Sequence, residues 1–223
     1  GMLSLGLLLG GYGSVPYAAR AAAPYAGALK SVESASIGKE GKNVVYINYN
    51  DGIKGKVTFL EEDIFRFNVD PKGEFSEYAT ARDKEHVARI QQYPDASSKY
   101  SHPTVQISDA NGMIKIISGK TEIQLEKSTA KMTVKKDDKV IFSEKAPLTI
   151  NEHSTVQTLN SSADEFFYGG GTQNGRFSHK GEQIQIVNTN NWVDGGVASP
   201  NPFYWSTNGS VSYTHSPSPR DMR

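Results

Sequence analysis

Amide, indole and carboxylate side chains crowd one short stretch near the C-terminal end of the chain, 188–194. Its candidate ligand-binding residues are Asn190, Asn191, Trp192 and Asp194. Planar amides and carboxylates hydrogen-bond to hydroxyl groups, and the apolar face of a pyranose ring stacks on an indole. The stretch therefore predicts a binding loop for a neutral, hydroxyl-rich ligand such as a sugar. An Asn-rich turn with Trp192 in the protein core is the alternative.

Three consecutive glycines, Gly169–Gly171, directly follow the aromatic run Phe166–Tyr168. Glycine at such a position predicts a backbone that turns sharply or approaches another group closely. A phosphate-binding loop is the alternative, but neither a Lys-Ser/Thr pair nor a helical pattern follows the glycines. The pattern favours an aromatic strand that enters a glycine turn.

Other residue types that could do chemistry do not fall into catalytic patterns. The five histidines form no H-x-x-x-H or H-E-x-x-H motif, and the chain has no cysteine, so we predict no metal site, disulfide or cofactor. A mutarotase-type enzyme would need a histidine and a carboxylate in one cleft, for example His153 or His179 with Glu182, but the spacing does not favour it. The carboxylates of Glu61–Asp63 alternate in direction and predict a solvated turn. We therefore predict no catalytic residue in this chain.

The charge balance bears on the kind of partner. Basic and acidic residues number 24 each, which gives a formal net charge of zero. No basic stripe with interleaved aromatic residues is present, so nucleic acid is a poor candidate. Aromatic residues make up 10% of the chain and suit an uncharged ligand.

The N-terminal residues 1–30 resemble a leader or a poorly specified arm. Gly1 before Met2 is typical of a residue left by tag removal. An apolar run at 3–9 and small residues at 18–23 are typical of a signal peptide, which predicts a secreted or cell-envelope protein of bacterial type. The run is too short to span a bilayer, so we expect no membrane partner. A buried segment of the mature domain is the alternative, because a basic n-region is missing.

Period-two alternation dominates the rest of the chain and predicts an all-β fold with few or no helices. Short strands separated by tight turns indicate an antiparallel β-sandwich over residues 31–209. The region 79–92 has some helical spacing and predicts at most one short helix. The predicted strands are 43–49, 54–60, 63–69, 104–108, 113–118, 121–126, 130–135, 139–144, 148–150, 156–159 and 180–187.

Three motifs follow one another along the chain: the aromatic and glycine residues Phe167–Gly171, the Asn188–Asn191 loop, and the strand Ser199–Ser206. Together they resemble the N-terminal domain of glycoside hydrolase family 31, which contains α-glucosidases, α-xylosidases and transglycosylases. The resemblance implies a galactose mutarotase-like supersandwich that precedes a catalytic (β/α)8 barrel. It also implies that Asn188–Asp194 reaches over the barrel and helps to shape the substrate site.

The resemblance places the chemistry outside this chain. Retaining glycosidases use two carboxylates about 5 Å apart, and in this family both come from the barrel. A (β/α)8 barrel typically needs about 250 residues, more than the 223 present here. The implied function is a non-catalytic N-terminal domain whose partners are the barrel and, in the parent enzyme, an α-linked oligosaccharide. A stand-alone carbohydrate-binding module, a small mutarotase and a structural domain are the alternatives.

The C-terminal stretch 210–223 departs from the family pattern and predicts an atypical tail. A sandwich that stops there would be incomplete and would keep an exposed edge. Exposed edges favour pairing with another chain, so we expect a tendency to self-associate.

Overall fold

The computed structural model describes residues 27–75, 100–151, 154–173, 177–184 and 197–213. The predicted leader, the predicted short helix at 79–92, the loop at 188–194 and residues 214–223 of the predicted tail lie outside them. Within the described ranges, no helix is long and apolar enough to cross a membrane.

The described residues form antiparallel strands and one 3₁₀ turn at Asn50–Gly52. This confirms the predicted all-β, antiparallel sandwich class. In chain order the strands are β1 Gly27–Ala28, β2 Val32–Ile37, β3 Val44–Tyr49, β4 Lys54–Glu61, β5 Ile64–Asp70, β6 Gln106–Ala110, β7 Met113–Ser118, β8 Thr121–Glu126, β9 Met132–Lys136, β10 Lys139–Asn151, β11 Ser154–Leu159, β12 Phe167–Gln173, β13 Val197–Ser206 and β14 Val211–Tyr213.

Two compact units divide these strands. The first unit, residues 30–140, holds the four-stranded sheet β2-β3-β4-β5 and the consecutive antiparallel strands β6 to β9. The second unit, residues 27–29 and 141–213, holds β1 and β11 on either side of β10, and the three-stranded sheet β12-β13-β14. Strand β14 lies inside the stretch that the sequence assigns to an atypical tail, and it pairs with β13.

Turn chemistry fixes the register of the β6–β9 strands. Asn111 and Gly112 both have positive φ, 54° and 73°, which is the combination that a two-residue type I′ hairpin requires. Asp137 and Asp138 repeat it at 49° and 63°. Asx residues tolerate this conformation better than most side chains do. Between these turns, β7 and β8 bury every second side chain, and β9 buries Met132 and Val134, as the sequence predicts.

The core of the first unit comes from the inward faces of its two sheets. Each fully buried aliphatic or aromatic side chain contributes about 1.5–3 kcal/mol relative to an exposed one. The buried side chains are Val45, Ile47, Tyr49, Ile53, Val57, Phe59, Ile114, Ile116, Ile123, Leu125, Met132 and Val134.

The turn that joins β4 to β5 carries three carboxylates, and each has a partner from a distant part of the same unit. Glu61 accepts hydrogen bonds from the backbone N–H of Ser101, at 2.8 Å, and from its hydroxyl. Glu62 accepts the Lys120 backbone N–H at 2.5 Å, and Asp63 accepts Lys136 Nζ at 2.5 Å. The predicted turn is therefore present, and its side chains hold three loops in place.

This carboxylate turn makes the first unit acid-sensitive. The Lys136 ammonium lowers the pKa of Asp63, and the Ser101 hydroxyl and N–H lower the pKa of Glu61. A carboxyl whose pKa is lower in the folded state stabilises the fold above its unfolded-state pKa, and that contribution disappears as the pH falls through the folded-state value. Stability from these contacts should therefore be lost at acidic pH.

We expect Lys136→Met to lower the free energy of unfolding only slightly near pH 7, because both side chains of the pair are largely solvent-exposed. The difference from the wild type should shrink as the pH falls through the lowered pKa of Asp63, because the protonated carboxyl no longer pairs with the ammonium. Urea unfolding at neutral pH and at a pH below that transition measures it. Lys139→Met is the control, since Lys139 is exposed and no ion pair is seen for it among the described residues. Equal losses for Lys136→Met at both pH values would contradict the assignment.

Candidate functional site

The sequence-predicted site is framed by strands β12 and β13. Phe167 pairs with Ser206, Tyr168 with Trp205, and Gly171 with Pro200. The register shifts between Gly169 and Gly171, so β12 bulges at the glycines. All three glycines have positive φ, between 78° and 114°. The sequence predicts a turn here, but the structure shows that the glycines lie inside the strand and bend it without ending it.

The backbones of β12 and β13 approach each other closely at Gly169. A Cβ at this position would overlap the carbonyl oxygen of Phe203 and lie 2.9 Å from the Cα of Tyr204. Both obstacles are backbone atoms, which cannot rotate away. The glycine that the sequence singles out therefore serves strand packing, as the close-approach prediction requires.

Cross-strand partners share a face of the sheet, so Tyr168, Trp205 and Val211 project on one side, together with Phe203. We call these four residues the aromatic face. The rings of Tyr168 and Trp205 stack with centroids 4.4 Å apart at 23°. Phe203, Trp205 and Val211 are 38%, 42% and 64% exposed. Four uncharged side chains thus form an accessible apolar stripe across β12, β13 and β14.

The opposite face is more enclosed. Phe167 and Tyr204 contact each other edge-on at 6.2 Å. Burial raises the pKa of the Tyr204 hydroxyl, so it stays protonated at neutral pH. The buried carboxylate of Glu165 accepts a 2.6 Å hydrogen bond from the buried Ser206 hydroxyl. That hydroxyl oxygen also accepts the backbone N–H of Asn208 at 3.0 Å.

Two reciprocal hydrogen bonds between Phe166 and Thr207 lie next to this buried pair. Phe166 N–H donates to Thr207 Oγ1, and Thr207 N–H donates to the Phe166 carbonyl, both at 3.0 Å. The Glu165–Ser206 bond lies next to it. The start of β12 is therefore fixed to the turn between β13 and β14 by three hydrogen bonds over a sequence separation of 41 residues. Sequence reasoning missed these supporting residues, because nothing local signals the pairing.

The segment 177–184 lies against the start of β12 and leads towards the predicted loop. His179 N–H donates to the Phe167 carbonyl at 2.8 Å. Lys180 Nζ donates to the carbonyls of Ser162, at 2.7 Å, and of Ala163, and lies 5.3 Å from the Phe166 ring centroid. These contacts hold the segment that precedes the loop.

The strand predicted at 180–187 is wrong over its described part, 180–184, which is turn and irregular backbone. The backbone N–H of Glu182 bonds to the His179 carbonyl at 3.0 Å and so closes a turn. Gly181 has φ of +75°, which suits that turn and not an extended strand. In 180–184, the alternation of polar and apolar side chains therefore does not indicate a strand.

The predicted ligand-binding residues Asn190, Asn191, Trp192 and Asp194 lie outside the described residues. The structure describes the chain on both sides of them, at Ile184 and at Val197, which pairs with Gln173 at the end of β12. These four assignments stay predictions.

The described residues include one of the two histidines considered for a mutarotase centre. No group of three or more His, Cys, Asp or Glu side chains in that part of the chain could hold a metal ion. His179 and Glu182 are joined through their backbones, and the His179 side chain is buried. His153, the other histidine considered for a mutarotase centre, lies outside the described residues.

A shallow cavity of about 230 Å³ lies beside the turn between β7 and β8 and the end of β9 in the first unit. Its lining is mainly charged, and Lys120 Nζ pairs with Asp137 at 3.1 Å. Glu122 pairs with Lys115 at 3.2 Å. These charges neutralise one another at the surface, and the lining has no aromatic ring, so the cavity does not suit a sugar.

Several solved structures have a fold similar to that of this chain. A Flavobacterium johnsoniae GH31 dextranase complexed with isomaltotriose matches with a TM-score of 0.60 and 16% identity, over 81% of this chain and 22% of its own. The cycloalternan-forming enzyme of Listeria monocytogenes, in complex with a pentasaccharide substrate, matches with a TM-score of 0.62 and 17% identity. The match covers 82% of this chain and 17% of that enzyme. A GH31 α-xylosidase from Xanthomonas citri matches with a TM-score of 0.52 and 16% identity, over 75% of this chain and 18% of that enzyme. This chain therefore spans about a fifth of the length of these enzymes. Comparison with curated protein sequences gives no match.

A family model places the chain directly. The glycosyl hydrolase 31 N-terminal galactose mutarotase-like domain matches residues 54–215, which include β4 to β14 and the three motifs of the resemblance. The match also extends past residue 209, where the sequence predicts the sandwich to stop, and it includes β14. The chain belongs to the family of galactose mutarotase-like N-terminal domains of glycoside hydrolase family 31.

Proposed function

We propose that this chain is the non-catalytic N-terminal domain of a retaining α-glycoside hydrolase or transglycosylase. The family match over residues 54–215 carries the proposal. The domain packs on a (β/α)8 barrel, and the loop 188–194, between β12 and β13, contributes to the carbohydrate site of the assembled enzyme.

The ligand class follows from the loop chemistry and from the similar enzymes. The dextranase and the cycloalternan-forming enzyme are described with isomaltotriose and a pentasaccharide, and a soil-metagenome α-xylosidase with xylose. Two amides, an indole and a carboxylate at Asn190–Asp194 suit such neutral hydroxyl-rich ligands. An α-linked oligosaccharide is the proposed ligand.

The division of labour between the two domains follows from carboxylate chemistry. Retaining hydrolysis needs two carboxyl groups about 5 Å apart, one as nucleophile and one as acid and base. Glu61 and Asp63 bind Ser101 and Lys136, and Glu165 binds Ser206 in a buried corner. These three carboxylates support the fold. In the proposed division, the barrel supplies the reacting pair and this domain affects substrate binding.

The test uses a protein in which this domain and a (β/α)8 barrel of the family are present together. Trp192→Ala should raise KM for isomaltotriose about tenfold or more, equivalent to about 1.4 kcal/mol of lost stacking, with a smaller change in kcat. Ile64→Ala, at an exposed position of the first unit, is the control. An unchanged KM for Trp192→Ala would contradict the role of the loop.

A stand-alone carbohydrate-binding module is the second candidate, favoured by the composition of 188–194 alone. Titration calorimetry of the isolated chain with isomaltotriose separates the two. The main proposal expects neither binding nor hydrolysis, because the site is completed by the barrel. Binding that Trp192→Ala abolishes would favour the module, and hydrolysis by the isolated chain would contradict both.

A further inference from the structure

Asparagine followed by glycine is a pair at which a peptide chain can modify itself, and asparagine is among the chemically labile residues of proteins. The sequence contains this pair at 111–112, 174–175 and 208–209, and the structure describes the first and the third. Asn111 and Gly112 form the turn between β6 and β7, and Asn208 and Gly209 lie in the turn between β13 and β14. Because the two pairs have the same chemistry, the surrounding structure decides how they differ.

The self-modification is deamidation, in which the backbone nitrogen of the glycine attacks the side-chain carbonyl carbon of the asparagine. A C–N bond forms, the C–N bond of the side-chain amide breaks, and ammonia leaves with the proton taken from the glycine nitrogen. Water then opens the succinimide ring at either of its carbonyls, which gives aspartate or isoaspartate. Loss of the glycine N–H proton activates the nucleophile, so the state of that N–H in the fold is the structural variable.

Within the described residues, the backbone N–H of Gly112 has no hydrogen-bond acceptor. Gly112 is held through its carbonyl instead, which accepts the Lys127 N–H at 2.9 Å. Asn111 and Gly112 are both exposed, and a Cβ at Gly112 would meet nothing within 4 Å. Base and water can therefore reach both the attacking nitrogen and the amide that it attacks.

The backbone N–H of Gly209 is engaged in its turn. It donates to the Ser206 carbonyl at 3.0 Å, and the Asn208 N–H donates to Ser206 Oγ, also at 3.0 Å. Ser206 N–H closes the same turn on the Ser210 carbonyl at 2.8 Å. A hydrogen-bonded amide loses its proton to solvent only when the structure opens locally. This turn must therefore open before Gly209 can react.

We propose that Asn111 is a deamidation site of the folded chain, and that the fold protects Asn208. The proposal goes beyond the function given above, and its failure would leave that function untouched. The hydrogen bond that Gly209 has and Gly112 lacks sets the expected difference. A net contribution of about 1 kcal/mol for one such bond corresponds to about a fivefold difference in rate.

The two products at position 111 have different consequences for the hairpin. Isoaspartate adds a methylene group to the main chain, so the two-residue turn loses its type I′ geometry. Aspartate keeps the main chain and adds a negative charge close in sequence to Asp109, whose carboxylate pairs with Lys127 Nζ at 2.8 Å. Isoaspartate should therefore loosen the β6–β7 connection, whereas aspartate changes only the charge there.

The test compares the folded 223-residue chain with the same chain unfolded in urea, both at mildly alkaline pH. Tandem mass spectrometry of tryptic peptides follows the sites separately, because Asn111 lies in peptide 100–115 and Asn208 in peptide 181–220. Asn111→Asp supplies the reference for the aspartate product. In the folded chain, Asn111 should convert about fivefold or more faster than Asn208. In urea, where neither turn exists, the two rates should converge.

Amide hydrogen exchange followed by NMR is the second measurement, because it reports loss of the same glycine proton in the unmodified fold. After correction for the intrinsic rates, Gly112 should exchange about fivefold or more faster than Gly209. Equal deamidation of Asn111 and Asn208 in the folded chain would overturn the proposal. A ratio of the two rates in urea that matches the folded ratio would overturn it too, since the difference would then come from sequence alone.

Discussion

Gly169→Ala should unfold the β12–β13 sheet, with a loss of at least about 3 kcal/mol. Two effects add. A non-glycine residue at φ of +114° is strained by about 1–3 kcal/mol, and the new methyl group would overlap the Phe203 carbonyl. Because the obstacle is backbone, the strands must separate. Hydrogen exchange should show lost protection in the β12 and β13 amides.

Gly209→Ala separates the two effects. Gly209 also has positive φ, +93°, but a Cβ there would meet nothing within 4 Å. This variant should carry the conformational strain alone, about 1–2 kcal/mol. Equal protection losses in the two variants would show that the close approach at Gly169 does not matter.

Ile116→Ala should destabilise the first unit by about 2–5 kcal/mol. The Ile116 side chain is fully buried and lies between Ile107 on β6 and Ile123 on β8 in the strand register. Removing three carbon atoms loses their burial and leaves a cavity that a rigid sheet fills poorly. Urea unfolding followed by far-UV circular dichroism measures the change.

Ile64→Ala is the matched substitution, because Ile64 is 44% exposed at the start of β5. It should change the free energy of unfolding by less than about 0.5–1 kcal/mol. If the two isoleucine variants were equally destabilised, the core assignment for β7 would be wrong.

Strands could be predicted from the sequence wherever apolar and polar side chains alternate, because the apolar ones mark the buried face. Ile123 and Leu125 of β8 and Met132 and Val134 of β9 alternate with polar residues, and the structure buries all four. Strand β2 was missed, because Val-Glu-Ser-Ala-Ser-Ile has few β-branched or aromatic residues. Its pairing with β3 comes from tertiary context, which overrides a weak local preference.

Long-range partners could not be predicted. Glu165 and Ser206 are separated by 41 residues, and their hydrogen bond depends on how β12 and β13 pair. Likewise, the three glycines predict unusual backbone, but only the register with β13 distinguishes a bulge from a turn. The residues proposed to contact sugar, Asn190 to Asp194, remain predictions from side-chain chemistry and family resemblance.

The position of Trp205 gives the molecule a selective optical reporter. The chain has two tryptophans, Trp205 on β13 and Trp192 outside the described residues, and residues 30–140 contain none. Trp205 emission therefore follows the loss of structure around β13, and no tryptophan reports directly on residues 30–140, while far-UV circular dichroism sums over both units. Superimposable transitions by the two methods mean that the units melt cooperatively, and separated transitions give each unit its own midpoint.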